Sequence, residues 1–230
     1  MTKGRMMPVV AAVLFSAACG DGPTGGDSTA KVRFFNAVWN TQDKTGFTTN
    51  GQFAAGSALG YLESTPTCST LDAGTTSFGM GLANASGTAL NSNTFATLDN
   101  QTITAGGDYS VLAGGNIAHP SVTLLDNSFS GTLGAGQAAV RFVNLAGGSE
   151  GPLDVLQGTL GSGSTTVVQA NMGFRAVTPF STVTSGANPY TIKYTGSDQP
   201  LISGDDATLN LVAGGQEQFG MVDGAVHVIA

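Results

Sequence analysis

Few residues in this 230-residue chain are of types that carry out chemistry, and they are scattered. The chain contains two cysteines, Cys19 and Cys68, and two histidines, His119 and His227. Catalytic triads and zinc sites place histidine or cysteine within a cluster of partner side chains. His119 precedes a proline and His227 alternates with valines, so we expect both to be surface residues of strands. We therefore expect no catalytic residue, no metal site, no cofactor and no enzymatic activity.

The densest acidic patch consists of Asp198, Asp205 and Asp206, with Ser203 and Gly204 close by. Carboxylate and hydroxyl oxygens are ligands that calcium takes in proteins. The spacing does not match that of an EF-hand loop, and Asp-rich turns commonly bond to their own backbone. The pattern favours a turn and leaves calcium binding open as the alternative.

Cys19 ends a segment that has the order of an export signal. Lys3 and Arg5 precede an apolar run from Met6 to Ala18, and the last three residues of that run are small. The run is too short for a membrane-spanning helix. The residues from Phe15 to Cys19 resemble the lipobox of bacterial lipoproteins, in which the cysteine becomes the acylated N-terminus after cleavage. An ordinary secretory signal that happens to contain a cysteine is the alternative.

The lipobox resemblance implies a protein attached by lipid to the cell envelope. Residues 1–18 would be a cleaved signal peptide, and the Gly-rich residues 19–29 would form a flexible tether. Gly20, rather than an aspartate, follows the cysteine, which favours the outer membrane in proteins of this kind. Acylation of Cys19 would exclude an intrachain disulfide, because Cys68 is the only other cysteine. An exported protein of this size can fold without one.

Composition restricts both the partners and the fold. The chain has 15 acidic and 8 basic residues, which argues against nucleic acid, whose phosphates require clustered lysine and arginine. Only 10% of the residues are charged and 34 are glycines. Threonine, valine and phenylalanine are frequent, and no window has a sustained helical period. These features predict an all-β fold of short strands and tight turns.

The chain repeats itself at an offset of 108 residues. Lys31–Asn36 matches Ala139–Asn144, and Ala105–Gly107 matches Ala213–Gly215 at the same offset. A repeat of this length predicts two tandem copies of one domain. Short strands at the spacing described below predict that each copy is an antiparallel β-sandwich. The predicted units are a first domain at residues 30–129, a linker at residues 130–136 and a second domain at residues 137–230.

Alternating apolar and polar residues predict further strands, and glycine-containing pairs predict the turns between them. The Ala-Gly-Gly sites are expected to be hairpins between adjacent strands. The predicted turns are Asn50-Gly51, Gly114-Gly115-Asn116 and Asp223-Gly224. The predicted strand segments are Gln101–Thr104, Tyr109–Leu112, Ser121–Leu124, Leu153–Leu156, Thr166–Val168, Tyr190–Tyr194, Thr208–Leu211 and Ala225–Val228.

Arg33 and Arg141 recur at equivalent positions in the two copies. Each stands between apolar residues of a strand, so its side chain points to the face opposite those residues. The simpler interpretation is a solvated face on which arginine aids solubility. The alternative is an interface between the two copies, where arginine is favoured.

The repeated segments resemble DUF4397, a family of bacterial envelope domains. Val32–Ala37 fits its opening strand, Ile103–Leu112 its hairpin and Leu124–Asn127 the run that follows. In the second copy, Val140–Asn144 and Pro152–Leu156 fit. The resemblance implies tandem Ig-like β-domains on the envelope and no established activity.

The sequence as a whole predicts a lipid-anchored, non-catalytic binding or structural module of the cell envelope. Its partners would be the membrane, through acylated Cys19, and an envelope protein or polysaccharide. One alternative is a surface glycan-binding protein, in which Trp39 and the polar residues Ala73–Leu98 line the site. Trp39 could form an aromatic platform for sugar together with Phe47 and Tyr61. The other alternative is a hydrolase with a site between the two domains.

Overall fold

The structure, a computed structural model, describes residues 28–41, 43–91, 93–146, 151–159, 165–222 and 225–228. The side chains of residues 202–206, 222 and 225–228 lie outside that description. The regular structure of the described residues is all β, arranged in four sheets. The predicted all-β fold class is confirmed.

The first half of the chain, residues 28–129, forms two sheets. The β1 sheet has the order β4-β1-β8-β9, with β5 also paired to β1, and the β6 sheet has the order β3-β2-β6-β7. The strands are β1 (Thr29–Asn36), β2 (Thr45–Thr49), β3 (Gln52–Phe53), β4 (Glu63–Ser64), β5 (Ser69–Asp72), β6 (Gly74–Leu82), β7 (Ala96–Ile103), β8 (Asp108–Asn116) and β9 (His119–Asp126).

The second half, residues 137–228, forms two further sheets of the same strand order. The β10 sheet runs β13-β10-β16-β17 and the β14 sheet runs β12-β11-β14-β15. The strands are β10 (Gln137–Asn144), β11 (Leu153–Gln157), β12 (Thr166–Met172), β13 (Ser181–Thr184), β14 (Gly186–Tyr194), β15 (Pro200–Leu211), β16 (Gln216–Val222) and β17 (Ala225–Val228).

Among the described strands, each half contains one parallel pair, so one of its two sheets is mixed while the other is antiparallel as predicted. β1 pairs in parallel with β8, and β10 pairs in parallel with β16. The chain leaves the β6 sheet after β7 and returns to the β1 sheet as β8. A parallel neighbour requires such a crossover, because a tight hairpin can join only antiparallel strands.

The Ala-Gly-Gly sites make these crossings and are not hairpins, contrary to the prediction. Residues 105–107 join β7 to β8, which lie in different sheets. Gly106 has a φ of 73°, and a Cβ on Gly107 would lie 2.5 Å from the Tyr109 ring. Glycine is therefore required by backbone conformation and by close packing at this corner.

The other predicted turns have mixed outcomes. Asn50 and Gly51, with φ of 49° and 76°, form the β2–β3 hairpin turn as predicted, with the positive φ values of a type I′ turn. Gly114-Gly115-Asn116 lies within β8, and the turn to β9 follows it. Asp223-Gly224 lies outside the described residues.

Each half has its own apolar core between its two sheets. Phe34 packs against Phe47 in the first half, with ring centroids 5.0 Å apart. Phe142 contacts Tyr190 and Phe219 in the second half, at 5.0 and 5.9 Å. The apolar residues on either side of each arginine face these cores, as the alternation predicted.

Candidate functional site

Cys19 and the rest of residues 1–27 lie outside the described residues, together with the predicted signal peptide, lipidation site and most of the tether. Thr29, at the end of the predicted tether, already belongs to β1. Cys68 is disulfide-bonded, which contradicts the expectation of no intrachain disulfide. One sulfur can form a thioether to a lipid or a disulfide, so lipidation of Cys19 and its use in a disulfide exclude each other.

The structure does not form the acidic turn that the sequence favoured. Asp205 and Asp206 lie in strand β15, near a shift in its register with β14, and their side chains are outside the description. Asp198 is exposed in the connection before that strand. Among the described residues, no three His, Cys, Asp or Glu side chains are grouped so that they could bind a metal.

The predicted aromatic platform is divided between core and surface. Phe47 is fully buried in the first core, whereas Tyr61 is 41% exposed. Trp39 is half-buried and bridges to Asn116 at the end of β8. The polar residues 73–98 include strand β6, so they are not one continuous loop.

His119 is exposed at the start of β9, as predicted, while the side chain of His227 lies outside the described residues.

A polar groove of about 330 Å³ opens at one end of the first half. It lies where the β2–β3 turn meets the corner between β5 and β6. Its lining includes the hydroxyl, amide and carboxylate groups of Thr49, Asn50, Thr70, Asp72 and Thr75. Groups of this kind exchange hydrogen bonds with polar ligands such as sugars.

A third apolar cluster, the junction cluster, joins the two halves. Its members in the first half come from the face of the β1 sheet that points away from the first core. Its members in the second half come from the end of β10 and from the residue that follows this strand. Each is at most 4% exposed. The members are Phe35, Ala37, Leu112, Leu125, Val143 and Leu145.

A polar network, the Arg141 network, lies beside this cluster. Arg141 Nη2 donates to the backbone carbonyl of Asp126 at 2.7 Å, and its Nε donates to Gln218 Oε1 at 2.7 Å. Gln218 Nε2 donates to Asn127 Oδ1 at 2.6 Å, and Asn127 Nδ2 donates to Asp108 Oδ1 at 2.8 Å. The network therefore connects the second half to two positions of the first.

Aromatic rings cover the guanidinium of Arg141. Its central carbon lies 4.5 Å from the centroid of the Phe180 ring, a cation–π distance. Phe180 in turn contacts Phe129, at the end of the first half, with ring centroids 5.7 Å apart. Burial lowers the pKa of Arg141 to about 10, and the nearby Asp126 carboxylate opposes this shift. Arginine keeps its charge at neutral pH despite the shift.

The interface interpretation of the repeated arginine is confirmed for Arg141. Arg33 and Arg141 are each only 8% exposed, so the solvated-face interpretation is wrong for both. Burial also lowers the pKa of Arg33, against the opposing charge of Asp108. The sequence signalled this site only through the recurrence of arginine. The partners Gln218 and Asn127 had no such signal, because they come from distant parts of the chain.

Comparison with known proteins identifies a family and little else. The family profile described as "Domain of unknown function (DUF4397)" matches residues 30–156. This match covers the first half from residue 30 onward and continues through most of β11. No curated protein matches the chain.

Two solved structures that match the chain do so at low similarity. The Bacillus anthracis TIE protein is 8% identical, with a TM-score of 0.24, and the match covers 84% of this chain and 33% of that one. A leucine-rich repeat protein from Bacteroides thetaiotaomicron VPI-5482 is 12% identical, with a TM-score of 0.21, and the match covers 87% of this chain and 26% of that one. This chain thus spans a third or less of either structure.

Proposed function

We propose a function for this chain from one premise: it belongs to the DUF4397 family, whose profile matches more than half of its residues. The proposed function is that of a non-catalytic binding or structural module of the cell envelope. It is anchored by lipid at Cys19 in the form of the protein in which the Cys19 sulfur is not in a disulfide. The two halves are tandem domains that act together as one rigid body. A second envelope protein or a polysaccharide is the partner of that body.

The junction between the halves is the observation that carries the module role. The junction cluster and the Arg141 network join the halves through both apolar burial and charge-assisted hydrogen bonds. A chain built in this way presents the surfaces of both halves in a fixed relation, which suits recognition of an extended partner. The shared strand order and the 108-residue offset support the tandem arrangement.

The N-terminal sequence supports the anchor. The basic residues Lys3 and Arg5, the apolar run and the small residues before Cys19 follow the order of a lipoprotein signal. Stable anchoring of a lipoprotein requires more than one acyl chain, because a single chain binds membranes only marginally. Among the described residues, no helix is long and apolar enough to cross a membrane.

Mass spectrometry of the N-terminal peptide tests the anchor. The protein is expressed from its full gene in a bacterium grown with an alkyne-labelled fatty acid, and a Cys19→Ser variant serves as control. We expect the label on Cys19 of the wild type and its absence from the variant. Recovery of an unlabelled protein whose Cys19 is cross-linked to Cys68 would overturn the anchor.

Crosslinking of the intact protein in cells, followed by mass spectrometry, tests the module role. We expect one dominant envelope protein, or glycan, captured by residues on the described surface. A Gln218→Ala variant, which breaks the Arg141 network, should capture less of it, whereas a variant of an exposed residue such as Val167→Ala should not. Capture that is random and equal in all variants would contradict the proposal.

Glycan binding is a second candidate, favoured by the polar groove. Its lining of Thr49, Asn50, Thr70, Asp72 and Thr75 offers donors and acceptors to sugar hydroxyls. Binding of envelope polysaccharides to the purified protein, compared with an Asp72→Ala variant, tests it. Equal binding by both proteins would exclude this groove as the site. The hydrolase alternative would require a cleft between the halves, where the junction cluster packs.

A further inference from the structure

A turn of the same geometry packs on the end of the first strand in each half. In the first half, the carbonyl of Asn36 accepts from the Leu62 amide at 2.7 Å. In the second half, the carbonyl of Asn144 accepts from the Arg175 amide at the same distance. Leu62 and Arg175 both have a left-handed backbone, with φ of 65° and 70°. Residues 59–65 and 172–178 are therefore equivalent turns.

A threonine three residues further along holds each turn to its strand. Thr65 Oγ1 accepts from the Phe34 amide at 3.2 Å. Thr178 Oγ1 accepts from the Phe142 amide at 2.9 Å. Both threonines are buried, so each turn is fixed at its end by a bond that solvent does not reach. The position of every residue within the two turns can thus be compared directly.

The comparison makes Tyr61 and Phe174 counterparts, each directly before the residue with the left-handed backbone. Tyr61 is 41% exposed and Phe174 is 38% exposed. They are the only aromatic side chains among the exposed large apolar residues of the described chain. An aromatic ring held at one exposed position in both copies is not explained by core packing. Residues with a strained backbone, such as those that follow these two rings, are common beside ligand-binding groups.

Trp39 lies at the same end of the sheet as Phe174. The parallel ladder of β1 and β8 continues past the end of β1, because the Trp39 amide donates to the Gly115 carbonyl at 3.1 Å. A Cβ on Gly115 would lie 3.0 Å from Phe174 Cζ. Ala37 belongs to the junction cluster and Val38 to the first core, so alternation places the Trp39 side chain on the junction side.

Tyr61 lies on the other side of Trp39. It precedes β4 by two residues, and the next residue, Leu62, packs against the junction cluster. Since β4 and β8 flank β1 and neighbouring strands are about 4.8 Å apart, the three aromatic residues cross the end of this sheet within a few strand spacings. Such a spacing is comparable with that of successive rings in a polysaccharide. We call Tyr61, Trp39 and Phe174 the aromatic strip.

The surroundings of the aromatic strip fit a sugar better than a lipid surface or a protein. Exposed polar side chains border it, among them those of Glu63, His119 and Arg175. Val177 is the only aliphatic residue of these two turns that counts among the exposed large apolar residues of the described chain, so the apolar surface is narrow. The formal charge of −7 disfavours an anionic membrane. A sugar ring has an apolar C–H face, which stacks on an aromatic face, and hydroxyl groups at its edge, which bond to polar neighbours.

We propose that the aromatic strip binds polysaccharide by stacking on its sugar rings, with Phe174 of the second half completing a site that begins in the first. This inference rests on the binding role proposed above and names its partner and site. The site is distinct from the polar groove, because the groove residue Asp72 pairs with Thr29 at the start of β1 and the strip lies at the end of that strand. Docking of the halves is a condition of binding, since it brings Phe174 to Gly115.

The fluorescence of Trp39, the only tryptophan of the chain, tests the proposal directly. The purified protein is titrated with β-linked hexasaccharides of glucose, N-acetylglucosamine and xylose. We expect at least one of them to produce a saturable change in intensity or wavelength. Tyr61→Ala and Phe174→Ala should each weaken its affinity about tenfold through loss of one stacked ring. The exposed-site control Val167→Ala should leave the affinity unchanged, and circular dichroism checks that every variant is folded.

Three outcomes would overturn the proposal. The first is the absence of a fluorescence change with all of the sugars, or an affinity that either aromatic variant leaves unchanged. The second is a change produced only by vesicles of phosphatidylethanolamine and phosphatidylglycerol, which would assign the strip to a lipid surface. The third is sugar binding that Asp72→Ala abolishes and Phe174→Ala preserves, which would place the sugar in the polar groove and leave glycan binding intact. Capture of an envelope protein in cells tests the module role separately, so a strip that binds no sugar does not decide that role.

Discussion

Gln218 of the second half donates from Nε2 to Asn127 Oδ1 of the first half at 2.6 Å, while its own Oε1 accepts from Arg141. One neutral side chain thus satisfies a buried charge and also fixes the segment that leaves β9. Gln218 and Asn127 are separated by 91 residues, so this bond closes a long loop of the chain. The bond therefore joins the two halves independently of the linker between them.

Replacing Gln218 by alanine should destabilise the protein. Arg141 would lose the acceptor for its Nε, and Asn127 would lose its donor, at a cost of about 1.5–3 kcal/mol for bonds to a charged group. Urea unfolding followed by circular dichroism measures the change. The matched control is Ser110→Ala, at the equivalent position of the first half. The Ser110 hydroxyl is buried and has no hydrogen-bond partner among the described residues, so its removal breaks no hydrogen bond and should not destabilise the protein. Equal losses in both variants would contradict the role of the network.

Truncating Leu112 should test the apolar part of the junction. Leu112 is fully buried in the junction cluster, away from either core, so Leu112→Ala should cost about 2–5 kcal/mol. We also expect the thermal transition to broaden, because the two halves would no longer unfold together. Val167→Ala, at an exposed position, is the control and should have little effect. A loss below about 1 kcal/mol would mean that the cluster does not hold the halves together.

Local patterns in the sequence predicted many of the strands but not how they combine into sheets. Every predicted strand segment overlaps a strand, because period-two alternation reports directly on which face is buried. Seven strands had no predicted segment: β2, β3, β4, β5, β6, β13 and β16. Two of these, β3 and β4, have only two residues each and so cannot show the period. The sequence predicted hairpins at the Ala-Gly-Gly sites, where the structure has crossings between sheets. Glycine indicates that the chain changes direction, but it does not indicate which sheet the next strand joins.

The arginine site was predictable only in part. Recurrence of arginine at one offset indicated a shared role, and alternation placed it on the outer face of each sheet. Its burial depends on residues such as Phe180 and Asn127, which approach from other strands. Long-range contacts of this kind have no signature in a single sequence. The same holds for Cys68, whose disulfide the expected acylation of Cys19 had excluded.

Neutralising Glu217 should stabilise the protein near neutral pH. This side chain lies on β16, where burial raises its pKa, and the opposing hydrogen bond from the Val212 amide is long at 3.5 Å. A raised carboxyl pKa means that the folded state prefers the protonated form, so stability falls as pH rises through the usual glutamate range. Glu217→Gln should therefore raise the urea midpoint at about pH 7 and have little effect at about pH 4.

The exposed Glu63→Gln variant is the control for this prediction. Its carboxylate accepts a hydrogen bond from the Gly60 amide at 2.7 Å, so its neutralisation should give no gain at either pH. A Glu217→Gln variant that is destabilised at neutral pH would show that the ionised carboxylate is needed, for example to accept from Val212.

Tyr190 should limit the stability of the protein in alkali. Its ring is buried against Phe142, and burial raises its pKa from 10.0 to about 12. The tyrosine hydroxyl of the unfolded chain therefore loses its proton at a lower pH than that of the folded chain. The stability contributed by neutral Tyr190 is complete below pH 10 and is lost as the pH rises from 10 to about 12. At about 1.4 kcal/mol per unit, the loss reaches up to about 3 kcal/mol.

Tyr190→Phe should remove this loss. The free energies of unfolding of the variant and the wild type should therefore diverge as the pH rises from 10 to 12. Urea unfolding followed by fluorescence or circular dichroism measures them. Arg141 acts in the opposite direction over the same range. Burial lowers its pKa to about 10, so the folded state sheds that proton first and gains stability as pH rises. Because both proteins retain Arg141, its effect cancels in the comparison and the difference isolates the tyrosine. Parallel curves for the two proteins above pH 10 would mean that the Tyr190 hydroxyl ionises as easily in the folded core as in the unfolded chain.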